Sequence, residues 1–243
     1  MTPTMVAQPA APGEEVPMAP FSTNAPGGAQ PEGWSAFRPA PKAQSTRYRL
    51  VEDQGVTVIE ARADDSMSGL IHRTDVDLRR TPLLRWRWKI RHTIADANMD
   101  RKSGDDYAAR LYVLFAVPHD ELSFSLRTEL AIARAIYGTD IPAAALNYVW
   151  DNSHAVGTMQ PNAFTDRAMM LVTDSGNTRA GQWMSHTRDV AADFRRAFPD
   201  LARHGLPRVG AVAIATDTDN THGRATAWYG DIAFLATVDG GAS

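Results

Sequence analysis

Charged and aromatic side chains alternate along several predicted β-strands, and their types are those that bind ligands. In the segment PLLRWRWKI, residues 82–90, Arg87 and Lys89 lie on the face opposite Trp86 and Trp88, because successive side chains of a strand point to opposite faces. The tryptophans are the largest apolar residues of this strand, so we expect them to face the core. The cations then lie on the other face.

The same alternation predicts that other strands add polar residues to this face, provided that the strands belong to one sheet. In the segment ATAWYGDIAF we place Trp228 in the core and Tyr229 outside. The candidate ligand-binding residues are then Arg87, Lys89, Asp106, Arg110, Tyr112, Asn147, Tyr229 and Asp231. Cations, carboxylate acceptors and phenol rings suit a polyhydroxylated and anionic ligand. In the alternative interpretation the charges only pair across strands, at ~0.2–1 kcal/mol per pair.

The loop TDTDNTHG contains a candidate metal site. Asp217, Asp219 and Asn220 supply hard oxygen ligands at short spacing, as calcium sites do. The loop does not match an EF-hand, because Thr221 occupies the third ligand position and Trp228 the twelfth. Asx turns explain the same residues without a metal. Calcium and a metal-free turn therefore both remain, and no other cofactor is predicted.

Catalytic motifs of several enzyme classes are absent from the sequence. The chain has no cysteine, which excludes thiolate nucleophiles and Cys-based metal sites, and it has no HExxH, GxSxG, P-loop or strand-linked GxGxxG motif. As neighbours on a predicted strand, Asp105 and Asp106 point to opposite faces, so they are not a ready-made acid/base pair. Asp106 could act with Asp231 if their strands meet. The sequence identifies no catalytic residue.

The composition indicates one globular domain without a nucleic-acid partner. The chain has 243 residues, of which 44% are hydrophobic, and this is enough for one sizeable core. Its 25 basic and 28 acidic residues give a net charge of −3, and no Lys/Arg run forms a nucleic-acid footprint. No apolar run approaches the ~18 residues that a transmembrane helix needs.

Many short apolar or alternating segments separated by turn signals predict an all-β fold, a two-sheet β-sandwich of jelly-roll or concanavalin-like type. We expect a turn at Asp53 to Gly55, and a strand pair interrupted at Ser68 and Gly69. Two segments with helical periodicity, SLRTELAIARAIYG and DVAADFRRAF, predict one or two short accessory helices.

The N-terminal residues differ in composition from the rest of the chain. Residues 1–33 are rich in Pro, Ala and Gly and predict a disordered tail or linker, followed by a single sandwich domain over residues 34–243. This tail has no basic start and no continuous apolar core, so it is not an intact signal peptide. We expect a periplasmic or secreted protein if a leader has been removed, and a cytoplasmic one otherwise.

Six segments together resemble a known family. SMSGL, PLLRWRWKI, DDYAARLYVLF, LNYVW, TRDVAADFRRAF and IATDTDNTHGRATAWYGDIAF are similar, in this order, to an uncharacterised bacterial family, domain of unknown function 3047. The resemblance runs from about Trp34 to Phe234. Members of the family often look exported, which implies a location in the cell envelope. The family implies no activity and no catalytic residues.

These observations lead to three functional hypotheses. The first is a non-catalytic binding domain of the bacterial cell envelope, for a glycan or another polyhydroxylated ligand. The second is a polysaccharide lyase or glycosidase on the same sandwich, in which an arginine would neutralise a uronate or two carboxylates would lie ~5–9.5 Å apart. The third is a structural or protein-interaction module, in which the polar face is only a paired, solvated surface.

Overall fold

The computed structural model describes residues 14–28, 31–38, 42–116 and 144–237, and these residues form two β-sheets and two short α-helices. No helix among them is long and apolar enough to cross a membrane. The strands are β1 (Glu15–Ala19), β2 (Trp34–Phe37), β3 (Arg47–Asp53), β4 (Val56–Asp64), β5 (Met67–Val76), β6 (Leu83–Ile90), β7 (Arg110–Ala116), β8 (Ala144–Asp151), β9 (Met159–Asn162), β10 (Thr165–Ser175), β11 (Met184–Asp189), β12 (Arg208–Asp217), β13 (Arg224–Tyr229) and β14 (Ile232–Leu235). The helices are α1 (Val190–Ala197) and α2 (Pro199–Ala202).

Each sheet contains seven of these strands. Sheet A has the order β1-β14-β6-β13-β4-β3, and β11 pairs with the other edge of β6. Sheet B has the order β2-β5-β12-β7-β8-β10-β9, with β8 and β10 parallel and the other pairs antiparallel. The predicted class, an all-β two-sheet sandwich with short accessory helices, is confirmed.

The core lies between the two sheets, because each strand turns its apolar residues to one side. Trp86 and Trp88 of β6 are buried, as predicted, and Trp86 packs against Tyr148 of sheet B with ring centroids 5.0 Å apart. Leu111 and Phe115 of β7 also point into this core. The cations of β6 therefore lie on the outer face of sheet A.

Two glycines show where the turn prediction holds and where it fails. Gln54 and Gly55 form a two-residue hairpin loop with φ angles of 55° and 78°, which confirms the predicted turn. The predicted interruption at Ser68 and Gly69 is wrong, since both belong to the continuous strand β5. A Cβ atom on Gly69 would lie 3.3 Å from the Phe37 ring, so this glycine permits close packing instead of a turn.

The predicted disordered tail over residues 1–33 is wrong for residues 14–28. Strand β1 pairs with β14, and Met18 and Phe21 are buried in the core. The Phe21 ring packs against Trp34 at 5.4 Å between centroids. A few apolar side chains anchor this segment although its average composition resembles that of a linker.

The second predicted helix is confirmed as α1. Asp189 caps it by accepting a hydrogen bond from the Ala192 backbone at 2.9 Å, and Val190 and Phe194 are buried on one side. The first predicted helix, over residues 125–138, lies outside the described residues.

Candidate functional site

The eight candidate ligand-binding residues do not form one surface. Arg110 and Tyr112 on β7 belong to the outer face of sheet B, whereas Arg87 and Lys89 on β6 belong to the outer face of sheet A. The expectation that their strands share a sheet is wrong. Side-chain alternation indicates the face of a residue's own strand, but it carries no information about which strands hydrogen-bond.

The predicted orientation of β13 is also wrong. Tyr229 points between the sheets, where its hydroxyl donates to the Ala215 carbonyl at 2.5 Å and accepts from the Arg110 backbone N–H at 3.3 Å. Trp228 faces outward and covers the Lys89 ammonium, 4.5 Å from the ring centroid. A tyrosine fits this interior position because the opposite sheet supplies partners for its hydroxyl.

Lys89 and Asp231 are held in pairs on sheet A. Lys89 contacts the carboxylate of Asp53 at 2.7 Å, and Asp53 also accepts a hydrogen bond from the Trp183 indole at 2.6 Å. Asp231 accepts hydrogen bonds from the Ser22 backbone at 2.9 Å and from its hydroxyl at 2.5 Å. Asp231 therefore ties the N-terminal segment to the sheet.

A cavity of about 500 Å³ lies over the outer face of sheet B, and six predicted residues line it. Its lining consists of Phe37, Met67, Asp105, Arg110, Tyr112, Asn147, Asn162, Phe164, Ala168, Asp217, Asp219 and Asn220. The structure therefore joins two groups that the sequence treated separately. Arg110, Tyr112 and Asn147 come from the proposed binding face, and Asp217, Asp219 and Asn220 come from the candidate metal loop.

Small residues beside Arg110 and Tyr112 explain why there is space over this part of the sheet. In the β7–β12 register, Ala215 lies opposite Arg110 and Ala213 lies opposite Tyr112. Gly69 of β5 follows as the next neighbour of Ala215. Side chains of this size rise little above a sheet, so the larger residues around them enclose a depression.

Arg110 is buried and makes the central polar contacts of the site. Its Nε donates to Asp217 Oδ1 at 2.7 Å, one terminal nitrogen contacts Asp217 Oδ2 and the Asp105 carbonyl, and the other donates to the Tyr112 hydroxyl at 3.2 Å. Burial opposes its charged form, but the charges of Asp105 and Asp217 outweigh this effect and raise the pKa of Arg110. Arg110 is therefore a fixed cation beneath the cavity.

Negative charge exceeds positive charge around this arginine. Burial, followed by the charges of Asp106 and Asp105, raises the pKa of Asp217 well above its usual value, although Arg110 acts in the opposite direction. Burial and the Asp106 charge raise the pKa of Asp219 as well. Burial also raises the pKa of the Tyr112 hydroxyl, to about 12, so Tyr112 is a neutral hydrogen-bonding group at physiological pH.

Asp106, Asp217 and Asp219 could hold a metal ion, since carboxylate oxygens from the three residues lie within 4.8 Å of one another. Both carboxylate oxygens of Asp106 already accept hydrogen bonds. One oxygen of Asp106 accepts from the backbone and side chain of Asn220 at 3.2 Å, and the other accepts from the Thr221 backbone at 2.7 Å and hydroxyl at 2.6 Å. Asp106 therefore fastens the loop after β12 and does not line the cavity.

The predicted orientation of Asp105 and Asp106 is corrected by the structure. Both residues precede β7, which begins at Arg110, so strand alternation does not apply to them. The Asp105 carboxylate accepts a hydrogen bond from Asn162 at 2.9 Å and lies 3.5 Å from Arg110. Asp105 thus belongs to the cavity, and Asp106 to the loop behind it.

Asn147 presents a polar atom that its surroundings do not satisfy. Its side-chain nitrogen donates to the sulfur of Met170 at 3.2 Å, whereas its buried Oδ1 has no hydrogen-bond partner among the described residues. Because Asn147 lines the cavity, a buried amide oxygen without a hydrogen-bond partner lies in the cavity wall.

The sequence interpretation missed six lining residues, namely Phe37, Met67, Asp105, Asn162, Phe164 and Ala168. Asn162 and Phe164 stand at the β9–β10 turn, where the Asn162 side chain accepts from the Phe164 backbone at 2.9 Å. The Phe164 side chain is 54% exposed. An aromatic residue in a polar turn was the signal that could have identified this part of the site.

Residues 32–233 match the family model described as "Protein of unknown function (DUF3047)". No curated protein sequence matches the chain. Among solved structures, a family 12 xyloglucanase from Bacillus licheniformis has 9% identity and a TM-score of 0.45, with 93% of this chain and 100% of that chain covered. Endoglucanase 3 of family GH12 from Trichoderma harzianum has 8% identity and a TM-score of 0.44, with 94% and 100% covered.

A third solved structure is the Endo-D glycoside hydrolase domain from Streptococcus pneumoniae, with 10% identity and a TM-score of 0.34. That match covers 83% of this chain but only 21% of the Endo-D chain.

Proposed function

The chain belongs to the DUF3047 family of proteins of unknown function, and we propose that it is a non-catalytic binding domain for a glycan or a similar polyhydroxylated ligand. The proposed site is the cavity over the outer face of sheet B. The observation that carries the proposal is the buried, unpartnered Oδ1 of Asn147 in a cavity that also presents the exposed ring of Phe164.

The lining supplies the two kinds of contact that a sugar needs. Phe164 offers an apolar ring surface, and Phe37 packs edge-on against Tyr112 with ring centroids 6.1 Å apart. Carboxylate and amide groups of Asp219 and Asn220 line the same cavity and can exchange hydrogen bonds with hydroxyl groups. The volume lies within the ~300–1,000 Å³ range of small-molecule sites.

The non-catalytic interpretation is favoured because the buried carboxylates already have structural partners. Both oxygens of Asp217 contact Arg110, and the Asp105 carboxylate accepts from Asn162. A general acid and a nucleophile must both be able to reach the substrate. Reassigning either carboxylate to catalysis would break contacts that hold the site together.

One observation favours a glycosidase as a second candidate. Asp217 and Asp219 lie close together, and the pKa of each is raised, which is the property of a carboxylic acid that donates a proton. In this alternative Asp219 would be the acid, because it is the more exposed of the two.

Affinity electrophoresis tests the proposal. The purified protein is run through native gels that contain neutral or anionic polysaccharides, beside Phe164→Ala and the matched control Val156→Ala. Val156 is 58% exposed and lies outside the cavity lining. We expect one polymer to retard the wild type and the control equally, and Phe164→Ala to bind roughly 3- to 10-fold more weakly, since an aromatic contact contributes ~0.5–1.5 kcal/mol.

Other results would contradict the binding-domain proposal. Polymer cleared around the band would establish the enzyme alternative, and Asp219→Asn should then abolish clearing. Normal migration through every gel, or equal retardation of Phe164→Ala, would argue against a glycan site in this cavity.

Calcium is the ion that we propose for Asp106, Asp217 and Asp219, because carboxylate oxygens are ligands that it prefers. Thermal unfolding with added Ca²⁺ tests this directly. An ion at 100 times its Kd stabilises a folded protein by about 2.7 kcal/mol, and Asp219→Asn should reduce the effect. Unchanged unfolding with Ca²⁺ and with chelator would favour the metal-free loop fastened by Asp106.

A further inference from the structure

A second cavity, of about 720 Å³, lies over sheet A and is lined by four arginines. These are Arg47 of β3, Arg62 of β4, Arg224 of β13 and Arg91, which directly follows β6. Among the residues that the structure describes, this cavity and the sheet B cavity share no lining residue. We call this cavity the arginine groove.

The strand register places three of the arginines in one row across the sheet. Arg47 lies directly opposite Arg62 in the β3–β4 pair, and Arg62 lies opposite Thr226 in the β4–β13 pair. The Arg91 backbone N–H donates to the Thr226 carbonyl at 2.9 Å, which continues the row beyond β13. Directly opposite residues point to the same face, so these side chains share the outer face of sheet A.

Cross-strand contact between like charges is unfavourable unless other groups compensate it. Arg62 has such a partner in Glu60, at 2.8 Å and 2.9 Å, and Arg224 has one in Asp64, at 3.0 Å. Within the part of the chain that the structure describes, the side chains of Arg47 and Arg91 form neither hydrogen bonds nor ion pairs.

The acidic residues that line the groove do not neutralise the charges of Arg47 and Arg91. Asp64 is engaged by Arg224, and Asp65 contacts His222 at 2.7 Å. The hydrogen bond to Asp65, followed by the Asp65 charge, raises the pKa of His222, which favours its protonated form. Two guanidinium groups of the row are thus left uncompensated at a concave surface.

We propose that the arginine groove binds a ligand with at least two oxyanion groups, which are carboxylate, sulfate or phosphate groups. Guanidinium groups bind such oxyanions through paired hydrogen bonds. Neighbouring strands lie ~4.8 Å apart, so Arg62 and Arg91, separated by β13, stand roughly 10 Å apart along the row. One oxyanion would bridge Arg47 and Arg62, and a second would bind Arg91 beside the Thr226 hydroxyl.

Isothermal titration calorimetry at low ionic strength tests the proposal with three probes. Inositol hexakisphosphate carries phosphate groups on opposite sides of its ring, trigalacturonate carries carboxylates, and a heparin-derived hexasaccharide carries sulfates and carboxylates. We expect at least one probe to bind the wild type, and the Arg47→Gln/Arg91→Gln variant to bind it at least 10-fold more weakly. The probe with the highest affinity identifies the oxyanion class.

A matched variant separates a specific site from general charge attraction. Arg195→Gln/Arg203→Gln removes the same two charges from exposed positions outside the groove, and we expect it to change the affinity less than 2-fold. Binding of none of the probes, or equal weakening by both double variants, would overturn the proposal. Phe164→Ala should leave this binding intact, so the result is independent of the glycan site on sheet B.

The unliganded protein provides a check on folding and on the repulsion argument. Arg47 is exposed, and its side chain forms no hydrogen bond or ion pair among the described residues, so the Arg47→Gln variant should fold. Because the substitution removes repulsion with Arg62, its melting temperature should equal or exceed that of the wild type. A clear fall in the melting temperature would contradict the account of an uncompensated Arg47.

Discussion

At the scale of single residues, Arg110 connects the stability of the fold to the candidate site. Its guanidinium group is buried between Asp217 and Asp105, and the Tyr107 ring lies 4.3 Å from it. The same group holds the Tyr112 hydroxyl at the cavity. A residue with these contacts positions the lining whether or not it touches a ligand.

We predict that Arg110→Gln lowers the free energy of unfolding by about 3–5 kcal/mol, because it leaves the buried carboxylate of Asp217 without its cation. Urea denaturation at pH 7 measures the change. The double variant Arg110→Gln/Asp217→Asn should recover part of the loss, since it removes the uncompensated carboxylate. A loss below about 1 kcal/mol for Arg110→Gln would show that the pair is not a stabilising unit.

Residue types and strand alternation were sufficient to predict part of this site. Arg110 and Tyr112 lie on the polar side of β7, opposite the buried Leu111 and Val113, as the pattern indicates. The pattern failed at Tyr229, because tyrosine and tryptophan both satisfy an apolar position. Only the acceptors on the opposite sheet decide which of the two turns inward.

At the scale of elements, β1 shows how a short segment can complete a sheet. It pairs along β14, which otherwise would present an open edge next to β6. The residues that follow β1 bury Phe21 against Trp34, and Ser22 donates two hydrogen bonds to Asp231. Average composition does not detect such an element, because its stability depends on a few long-range contacts.

We predict that Phe21→Ala lowers the free energy of unfolding by about 3–5 kcal/mol, because it creates a cavity in the core. Thr23→Ala is the control. Thr23 is exposed, and its hydroxyl only donates to the nearby Pro20 carbonyl, so we expect a change within about 1 kcal/mol. Urea denaturation compares both variants. Equal stability of Phe21→Ala and the wild type would contradict an anchored N-terminal segment.

At the scale of the whole molecule, the sandwich separates two surfaces of different character. The outer face of sheet B carries a cavity in which aromatic and amide groups surround a buried ion pair. The outer face of sheet A carries the arginine groove and the half-buried Trp183 and Trp228, which pack against cations. The core lies between these two faces. A substitution on one face therefore tests the site on that face and leaves the site on the other face unchanged.

The sequence by itself determined the all-β sandwich, the burial of Trp86 and Trp88, the Gln54–Gly55 turn and helix α1. Each of these follows from local periodicity, turn preference or capping, which act over a few residues. The sequence was also sufficient to identify six of the residues that line the sheet B cavity as candidate site residues.

Only the tertiary structure decided which of the candidate residues meet. Sheet membership depends on hydrogen bonds between strands distant in sequence, so alternation could not separate Lys89 from Arg110. The contact between Arg110 and Asp217 joins positions 107 residues apart. The row of Arg47, Arg62 and Arg91 likewise exists only through strand register, because local sequence does not specify which residues lie opposite each other.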